Sequence, residues 1–500
     1  MCGTGESYRR TTTIDILSDD VLLEIFDSYR KIPVHVFIFL QVVWSWRSLA
    51  HVCRRWRQII LESPHRLNLQ ILCTEKSPVK KDLRIWPILP LVIKYNYTGR
   101  NLRPAGIGNI LAALRQPNRV RHVQLNVASS MLEKMAPLLQ ESFPELTYID
   151  IFSESTDRGT MGVLPDGFLG GSAPRLQEFY FLNLSFPSLP TFLLTTSNLT
   201  SLAFLDIPPT GYIAPEAMIA CLAGMPKLER FVFGFQSTTP HPVRIRPPPI
   251  KRILLPTLTS FALNSASEYL EDFVAQIDSP QLYDIRVICW TPLVDTPVAQ
   301  LPKFVDRTIG SKLPIFRHAQ VCYFNGFFSF VIYYPEIDPF WDRYPAQNPN
   351  TFIKRTVFSC RRIGRRVFDI AQVLSRFSPA TFSNVVHLEL EVERGEGLPT
   401  PRTTSLEWLF ILRQFPAAET LRVSSEFSGF VAAALEDFAE DIIMVTEMLP
   451  YLDLICLEAQ PVPSSVEKFI TVRRLAGRPL TVVNTKAEFD EILKSSYISE

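Results

Sequence analysis

A short apolar pattern recurs along the chain and limits what it can fold into. A large apolar residue is followed by two more, three and five positions later, and most copies carry a proline two positions before the first. Side chains alternate between the two faces of a strand, so the second and third apolar positions lie on one face. Each copy therefore predicts a strand with one buried face. The copies begin 23 to 30 residues apart, at Leu146, Leu176, Leu199, Leu228, Leu258 and Leu282.

Helical stretches separate the copies, as at Glu216–Ala223 and Ser267–Ile277. The pattern fades between residues 290 and 380, which leaves degenerate repeats or a side insertion as alternatives. It then returns from Val385, Ala418 and Leu452. One strand and one helix at this period is the arrangement of repeat proteins whose units stack on their neighbours. The region resembles an irregular leucine-rich-repeat solenoid, without the fixed Asn or Cys of regular copies, so uneven curvature is expected.

The resemblance places ligand contacts on strand positions between the buried ones. Buried apolar positions are expected to form only the core. The candidates for partner contact are polar or amphipathic residues that flank them: Gln177, Tyr180, Glu229, Arg230, Arg286, Glu389 and Arg422.

The stretch from Ile16 to Pro64 has a different pattern. Leu22, Ile25, Phe26 and Tyr29 fall at helical spacing after Ser18, which predicts an amphipathic helix capped by that serine. A second stripe ends before Pro64, which stops the helix. Two short helices bury little by themselves, so they need each other and a partner. The second stripe comprises Leu49, Val52, Cys53, Trp56, Ile59 and Ile60.

This stretch resembles an F-box. The match is carried by Leu17, Asp20, Leu22, Leu23, Ile25 and Phe26, and then by Leu49 and the run Val52-Cys53-Arg54-Arg55-Trp56 before Ser63-Pro64. The next segments, Arg66–Ile71 and Ile85–Pro90, are similar to F-box proteins of mushroom-forming fungi. The family implies an adaptor that binds a Skp-type protein and, through it, a cullin, while the rest of the chain captures a protein substrate. The implied adaptor contacts are Leu17, Leu22, Leu23, Ile25, Phe26, Leu49, Val52 and Trp56.

Two features depart from the family pattern. Ser18 stands where the family usually has proline, and the link between the helices carries an insert, residues 31–45. The insert predicts an extra helix or an extended segment packed on the next domain, and an intron retained in the gene is a further alternative. A membrane span is not expected, because it needs about 20 apolar residues.

Composition and motifs exclude several function classes. The net charge of +1 gives no general attraction to nucleic acid or an anionic membrane. The eight cysteines form no C-x-x-C pair, which favours free thiols in a reducing compartment, cytoplasmic or nuclear. No nucleotide-binding, hydrolase-elbow or zinc-protease motif is present, so we expect no catalytic residue, no cofactor and no metal site.

Two basic clusters remain. They predict either a nuclear localisation signal or an acidic-partner site, or else a solvated loop for the first and an exposed helix face for the second. They comprise Arg244, Arg246, Lys251 and Arg252, and then Arg361, Arg362, Arg365 and Arg366.

Together these patterns predict an α/β chain in three parts. Residues 14–66 form a small helical F-box, residues 67–119 a linker and the first solenoid strands, and residues 120–500 the leucine-rich-repeat-like solenoid. Within the middle part, Thr74 to Lys81 is interpreted as linker and Leu91 to Ile93 as a buried strand. The predicted function is substrate recognition for a ubiquitin ligase. The alternative is a protein-binding scaffold without a ligase, and an enzyme is not expected.

Overall fold

The computed structural model is a mixed α/β protein with two compact units. One unit comprises Met1–Glu154 with Gly167–Arg175, and the other comprises Ser155–Asp166 with Leu176–Glu500. The structure describes residues 14–31, 48–64, 66–86, 88–96, 104–154, 162–236, 252–290, 299–312, 317–324, 327–333, 355–361, 372–392, 405–441, 445, 447–458 and 464–497. The insert at residues 32–45, beyond Lys31, lies outside this part of the chain, as do Arg362, Arg365 and Arg366.

The first unit contains a parallel sheet with strand order β1-β2-β3-β4. These strands are β1 (Ile71–Cys73), β2 (Leu91–Asn96), β3 (Val120–Ala128) and β4 (Tyr148–Glu154). Its helices are Asp19–Lys31, Arg54–Glu62, Val79–Ile85, Pro104–Leu114 and Ser129–Met135. Short 3-10 turns lie at Ile14–Ile16, Pro117–Arg119, Leu138–Gln140 and Phe168–Gly171.

The middle part of the sequence is more ordered than the linker prediction allowed. The predicted strand at Leu91 to Ile93 is confirmed within β2, and all three residues are buried. The predicted linker at Thr74 to Lys81 is wrong for its last three residues, because a helix begins at Val79. Ser77 is buried and its hydroxyl donates to the carbonyl of Leu72, which ties the turn before that helix to β1.

The main sheet of the second unit runs β6-β8-β9-β11-β13-β16-β15-β14-β17-β18-β19-β20. Neighbouring strands are parallel, except that β15 is antiparallel to both of its neighbours. The strands β5 and β7 form a separate two-stranded parallel sheet, and β10 and β12 form another. The strands are β5 (Gly162–Val163), β6 (Glu178–Leu182), β7 (Leu184–Ser185), β8 (Ser201–Ile207), β9 (Arg230–Phe235), β10 (Ile253–Leu254), β11 (Ser260–Ser265), β12 (Ile277–Asp278), β13 (Asp284–Cys289), β14 (His318–Phe324), β15 (Phe327–Tyr333), β16 (Arg355–Arg361), β17 (His387–Val392), β18 (Thr420–Val423), β19 (Leu454–Leu457) and β20 (Thr481–Val483).

Helices connect most of these strands, as parallel neighbours require a crossover. The helix predicted at Glu216–Ala223 is observed as Pro215–Ala223. The helix predicted at Ser267–Ile277 ends at Val274. Ile277 lies instead in β12, where it pairs with Ile253 of β10. The helices are Leu189–Leu193, Pro215–Ala223, Ser267–Val274, Gln300–Lys312, Pro379–Phe382, Ser405–Leu412, Ser425–Phe438, Ser464–Leu475 and Lys486–Tyr497, with a 3-10 turn at Pro209–Gly211.

The strand register follows the sequence repeat. The second apolar position of one copy pairs with that of the next, as Phe179 does with Leu202 and Leu202 with Phe231. The leading residue of a copy is buried two positions before its strand, so Leu176 precedes β6 and Leu452 precedes β19. Apolar side chains at equivalent positions thus stack into continuous rows, which form the core between sheet and helices.

The stretch where the repeat fades still contributes three strands to the main sheet. Val287 pairs with Phe358 of β16, Phe358 with Phe330 of β15, and Phe330 with Val321 of β14, so one core row continues across all three. The neighbouring row reaches Thr356, a buried polar residue, which is one reason the apolar pattern disappears there. The described residues of this stretch therefore extend the sheet. For these residues, the alternative of an insertion to the side of the sheet is wrong.

Candidate functional site: a helical hairpin and the second face of the sheet

The hairpin consists of the helices Asp19–Lys31 and Arg54–Glu62. Ser18 caps the first as predicted, and its Oγ accepts from the backbone N–H of Val21 at 3.4 Å. The second helix begins later than its apolar stripe suggested. Cys53 is its N-cap, and the Cys53 Sγ accepts from the N–H of Trp56 at 3.4 Å. A turn at residues 51–52 precedes it, so the predicted stripe is split between two segments.

The predicted adaptor contacts divide by exposure. Leu22, Leu23 and Phe26 are buried, with Leu22 0% and Phe26 1% exposed. Leu17, Leu49 and Trp56 are half-buried, and the Trp56 ring packs 4.8 Å from that of Phe26 between centroids. Ile25 and Val52 are 42% and 60% exposed. The three buried residues form the inside of the hairpin and offer a partner no surface, which corrects their interpretation as contacts.

Further apolar side chains are exposed where the sequence argument named none. Ile16 is 70% and Val21 43% exposed, and Ile14 is exposed as well. Val21 and Ile25 are four residues apart on one helix, so they share a face. This set of Ile16, Val21 and Ile25 is called the apolar face of the hairpin below. The spacing of Val21 and Ile25 was the signal that could have revealed it.

Two arginines fasten the first helix. Arg55 donates through Nη2 to the Leu17 carbonyl and to Asp19 Oδ1, both at 2.6 Å. Arg66 reaches Glu24 at 2.6 Å and Asp20 at 3.3 Å, and its pKa is raised by its hydrogen bond to Glu24. The two arginines thus pair with Asp19, Asp20 and Glu24 of this helix, and none of these pairs involves a residue of the apolar face.

In the second unit, the side chains that alternate with the core rows form the second face of the main sheet. At the β19–β20 end of the sheet, the helix Lys486–Tyr497 packs on this face. There Phe489 forms a small core with Leu454, Cys456 and Val483. From β6 to β18 the same face carries mainly half-buried side chains. That is where most of the predicted contact positions lie.

Arg422 on β18 is the centre of a polar cluster on this face. Its guanidinium contacts Glu389 at 2.7 Å, Glu391 at 2.5 Å and Glu458 at 2.8 Å, although its side chain is only 5% exposed. Burial lowers the pKa of Arg422, but the carboxylates of Glu389 and Glu391 outweigh it and raise that pKa above its ordinary value. Burial raises the pKa of Glu389, against the opposing charge of Arg422. Arg422 was predicted to be exposed, and it is instead the buried counter-ion of three carboxylates.

The other predicted contact positions are more accessible. Gln177 and Glu229 are exposed just before their strands. The Tyr180 hydroxyl donates to Glu178 at 2.7 Å, and Arg230 donates to that hydroxyl at 3.3 Å, while burial raises the pKa of Tyr180 to about 12. Arg286 pairs with Asp284 at 3.1 Å. Tyr180, Arg230 and Arg286 are thus half-buried and paired within the face, whereas Gln177 and Glu229 are exposed at its edge.

A histidine pair lies beside the Arg422 cluster, which the sequence did not indicate. The rings of His318 and His387 are 4.4 Å apart, and His387 Nδ1 lies 2.8 Å from Thr420 Oγ1. Burial lowers the pKa of His318 to about 3, with smaller effects of His387 and Arg317. Burial likewise lowers that of His387 to about 4. Both rings are therefore neutral at pH 7.

No protein-family model matches the chain, and no curated protein sequence matches it. Within the described residues, no group of three or more His, Cys, Asp or Glu side chains could hold a metal ion. Nor is any described helix long and apolar enough to cross a membrane.

Proposed function

We propose that the chain is a substrate-recognition adaptor of a Skp–cullin–F-box type ubiquitin ligase. The finer architecture belongs to the same proposal: a small helical F-box followed by an irregular leucine-rich-repeat-like solenoid. The observation that carries it is the apolar face of the hairpin, because it lies within the stretch that resembles an F-box. Exposed neighbouring apolar side chains on a protein surface favour a protein partner.

The hairpin supports docking in a particular way. Leu22, Leu23 and Phe26 stabilise the helices from inside, and Ile16, Val21 and Ile25 remain for the partner. A Skp-type protein would cover that face, and a cullin would join through it. Burial of apolar area contributes about 25 cal/mol per Å², so even a few such residues matter for affinity.

The second face of the main sheet supports the other half of the proposal. Its half-buried polar groups, among them Tyr180, Arg230 and Arg286, offer hydrogen bonds and charges in a fixed register. A protein substrate held there would lie near the ubiquitin-loaded enzyme, and proximity would be the whole mechanism. The chain itself would perform no chemistry.

The decisive experiment is co-precipitation of the Skp-type adaptor with the full-length chain. The variant Val21→Glu/Ile25→Glu places charge on the apolar face without touching the hairpin core. Since 1.4 kcal/mol is a tenfold change in affinity and an unpaired interfacial charge costs several kcal/mol, adaptor recovery should fall by roughly a hundredfold or more. A substrate should still be captured, and it should accumulate.

Leu194→Glu is the control, because Leu194 is an exposed apolar residue in the second unit, at 63% against 43% for Val21 and 42% for Ile25. It should leave adaptor recovery unchanged. Hydrogen exchange of the helix Asp19–Lys31 checks that the double variant still folds. If the native chain recovers no adaptor, or the double variant recovers as much as the native chain, the ligase proposal fails. The scaffold without a ligase would then be the remaining candidate.

A further inference from the structure

The helix Val79–Ile85 of the first unit has an outer face that is both basic and apolar. That face carries four exposed side chains: Lys80, Lys81, Arg84 and Ile85. Side chains three and four positions apart are neighbours on a helix. Lys81, Arg84 and Ile85 therefore form one continuous surface.

The backbone after this helix presents a second isoleucine beside the first. Ile88 is 77% exposed, against 49% for Ile85. The Nη2 of Arg119 donates to the carbonyl of Trp86 at 2.6 Å and to that of Leu89 at 2.8 Å. A single nitrogen thus holds the backbone on both sides of Ile88, and the Leu89 side chain is buried. Ile88 is therefore fixed in a position where it protrudes into solvent.

The positive charge of this surface is not matched within the described chain. Asp82 is the acidic residue of the helix, and it is only 6% exposed. The side chains of Lys80, Lys81 and Arg84 make no ion pair or hydrogen bond with any residue that the structure describes. The helix packs on Pro104–Leu114, which contains no charged residue. Three cationic groups thus remain beside the two exposed isoleucines.

We propose that this surface binds the interface of an anionic lipid bilayer. Basic side chains are attracted to anionic headgroups, while apolar side chains beside them enter the boundary of the acyl chains. A protein partner would need a pocket shaped for Ile88, whereas fluid lipid accommodates a protruding side chain of any shape. The net charge of +1 conceals this surface, because its charge is local. The surface lies outside the hairpin, so the proposal does not rest on ligase docking.

This surface is separate from the two basic clusters of the sequence. In the first cluster, Arg244, Arg246 and Lys251 lie outside the described residues, as does most of the second cluster. Neither cluster is therefore described as a whole, whereas every residue of the helix Val79–Ile85 is.

Co-flotation of the full-length protein with vesicles tests the proposal. The probes are vesicles of phosphatidylcholine alone and vesicles of equal parts phosphatidylcholine and phosphatidylserine. The native chain should bind the second kind and not the first, and raised salt should weaken this binding. Lys80→Gln/Lys81→Gln should weaken it about tenfold or more, because each basic residue near an anionic membrane contributes about a factor of five.

Ile88→Ser tests the apolar contribution separately. It should weaken vesicle binding several-fold, because the remaining attraction is only electrostatic. Lys134→Gln, at an exposed position on the helix Ser129–Met135, is the control for charge, and Val21→Ser on the hairpin is the control for apolar exposure. Both controls should bind vesicles like the native chain.

All these substitutions are at exposed positions, so the thermal midpoint should stay unchanged and confirm that each variant folds. The proposal is overturned if anionic vesicles do not float the native chain, which would leave an acidic protein as the occupant. It is also overturned if phosphatidylcholine alone binds equally well. Native-like binding by Lys80→Gln/Lys81→Gln or by Ile88→Ser would overturn it too.

Discussion

The hairpin and the second face of the main sheet are two candidate binding surfaces built on opposite principles. On the hairpin, charged side chains pair at the surface and apolar side chains are left exposed. On the sheet, Arg422 pairs with three carboxylates while its own side chain is almost fully buried. A partner of the hairpin would gain binding free energy mainly by burying apolar area. A partner of the sheet face would gain it mainly by matching a specific set of charges.

This difference determines whether a substitution on each surface changes binding or folding. Exposed ion pairs contribute little to stability because water screens them, whereas breaking a buried one leaves charge without compensation. A substitution on the hairpin surface should therefore change binding and spare folding. A substitution in the Arg422 cluster should instead lower the free energy of unfolding.

The largest effect is expected for Arg422→Met. Glu389, Glu391 and Glu458 would keep their positions without the guanidinium that pairs them, and breaking a buried pair typically costs about 3–5 kcal/mol. Chemical denaturation should show this loss. Arg230→Met is the control, since Arg230 lies 3.8 Å from Glu178 on a more exposed part of the face and should cost about 1 kcal/mol or less. Equal losses for the two variants would contradict the distinction.

The second comparison is made within one helix. Leu22→Ala removes a fully buried side chain and should destabilise the hairpin by about 2–5 kcal/mol, whereas Ile25→Ala, one turn further on, should change stability by about 0.5 kcal/mol or less. Hydrogen exchange across Asp19–Lys31 measures both. Similar losses of protection in the two variants would show that Ile25 belongs to the core.

The histidine pair makes the stability of the second unit depend on pH. His318 and His387 stay neutral in the folded state until about pH 3 and 4, but in the unfolded chain they gain protons near pH 6.5. Stability is therefore fully present above pH 6.5 and is lost as the pH falls towards 4, by about 2 kcal/mol per histidine at pH 4.5. His387→Asn should flatten this part of the pH profile. A native profile that is flat from pH 6.5 to 4.5 would be the contrary result.

The smallest effect is expected for Arg66→Gln. Its ion pairs with Asp20 and Glu24 are solvent-exposed, so the denaturation midpoint should not move measurably. A clear shift would mean that surface pairs on the hairpin carry stability, and the contrast with Arg422 would then disappear.

The sequence by itself determined the rows of the sheet. Apolar residues at fixed offsets, such as Phe179, Phe231 and Phe261, predicted strands that pair in register. Side chains alternate between the two faces of a strand, so the positions of the apolar residues determine which face is buried. The same reasoning predicted the helix after Ser18. Pattern reading failed for β16, because Thr356 is polar where the pattern needs an apolar residue, although Phe358 in the same strand keeps the pattern.

Tertiary structure decided which side chains remain available. Periodicity assigns Leu22 and Ile25 to one stripe, but only the folded hairpin shows that Leu22 is fully buried and that Ile25 is 42% exposed. The burial of Arg422 is also invisible in sequence, because Glu389, Glu391 and Glu458 lie 31 to 36 residues away and meet it only through strand pairing. Local pattern fixes the face that a residue points to, and the neighbouring strands and helices fix what it meets there.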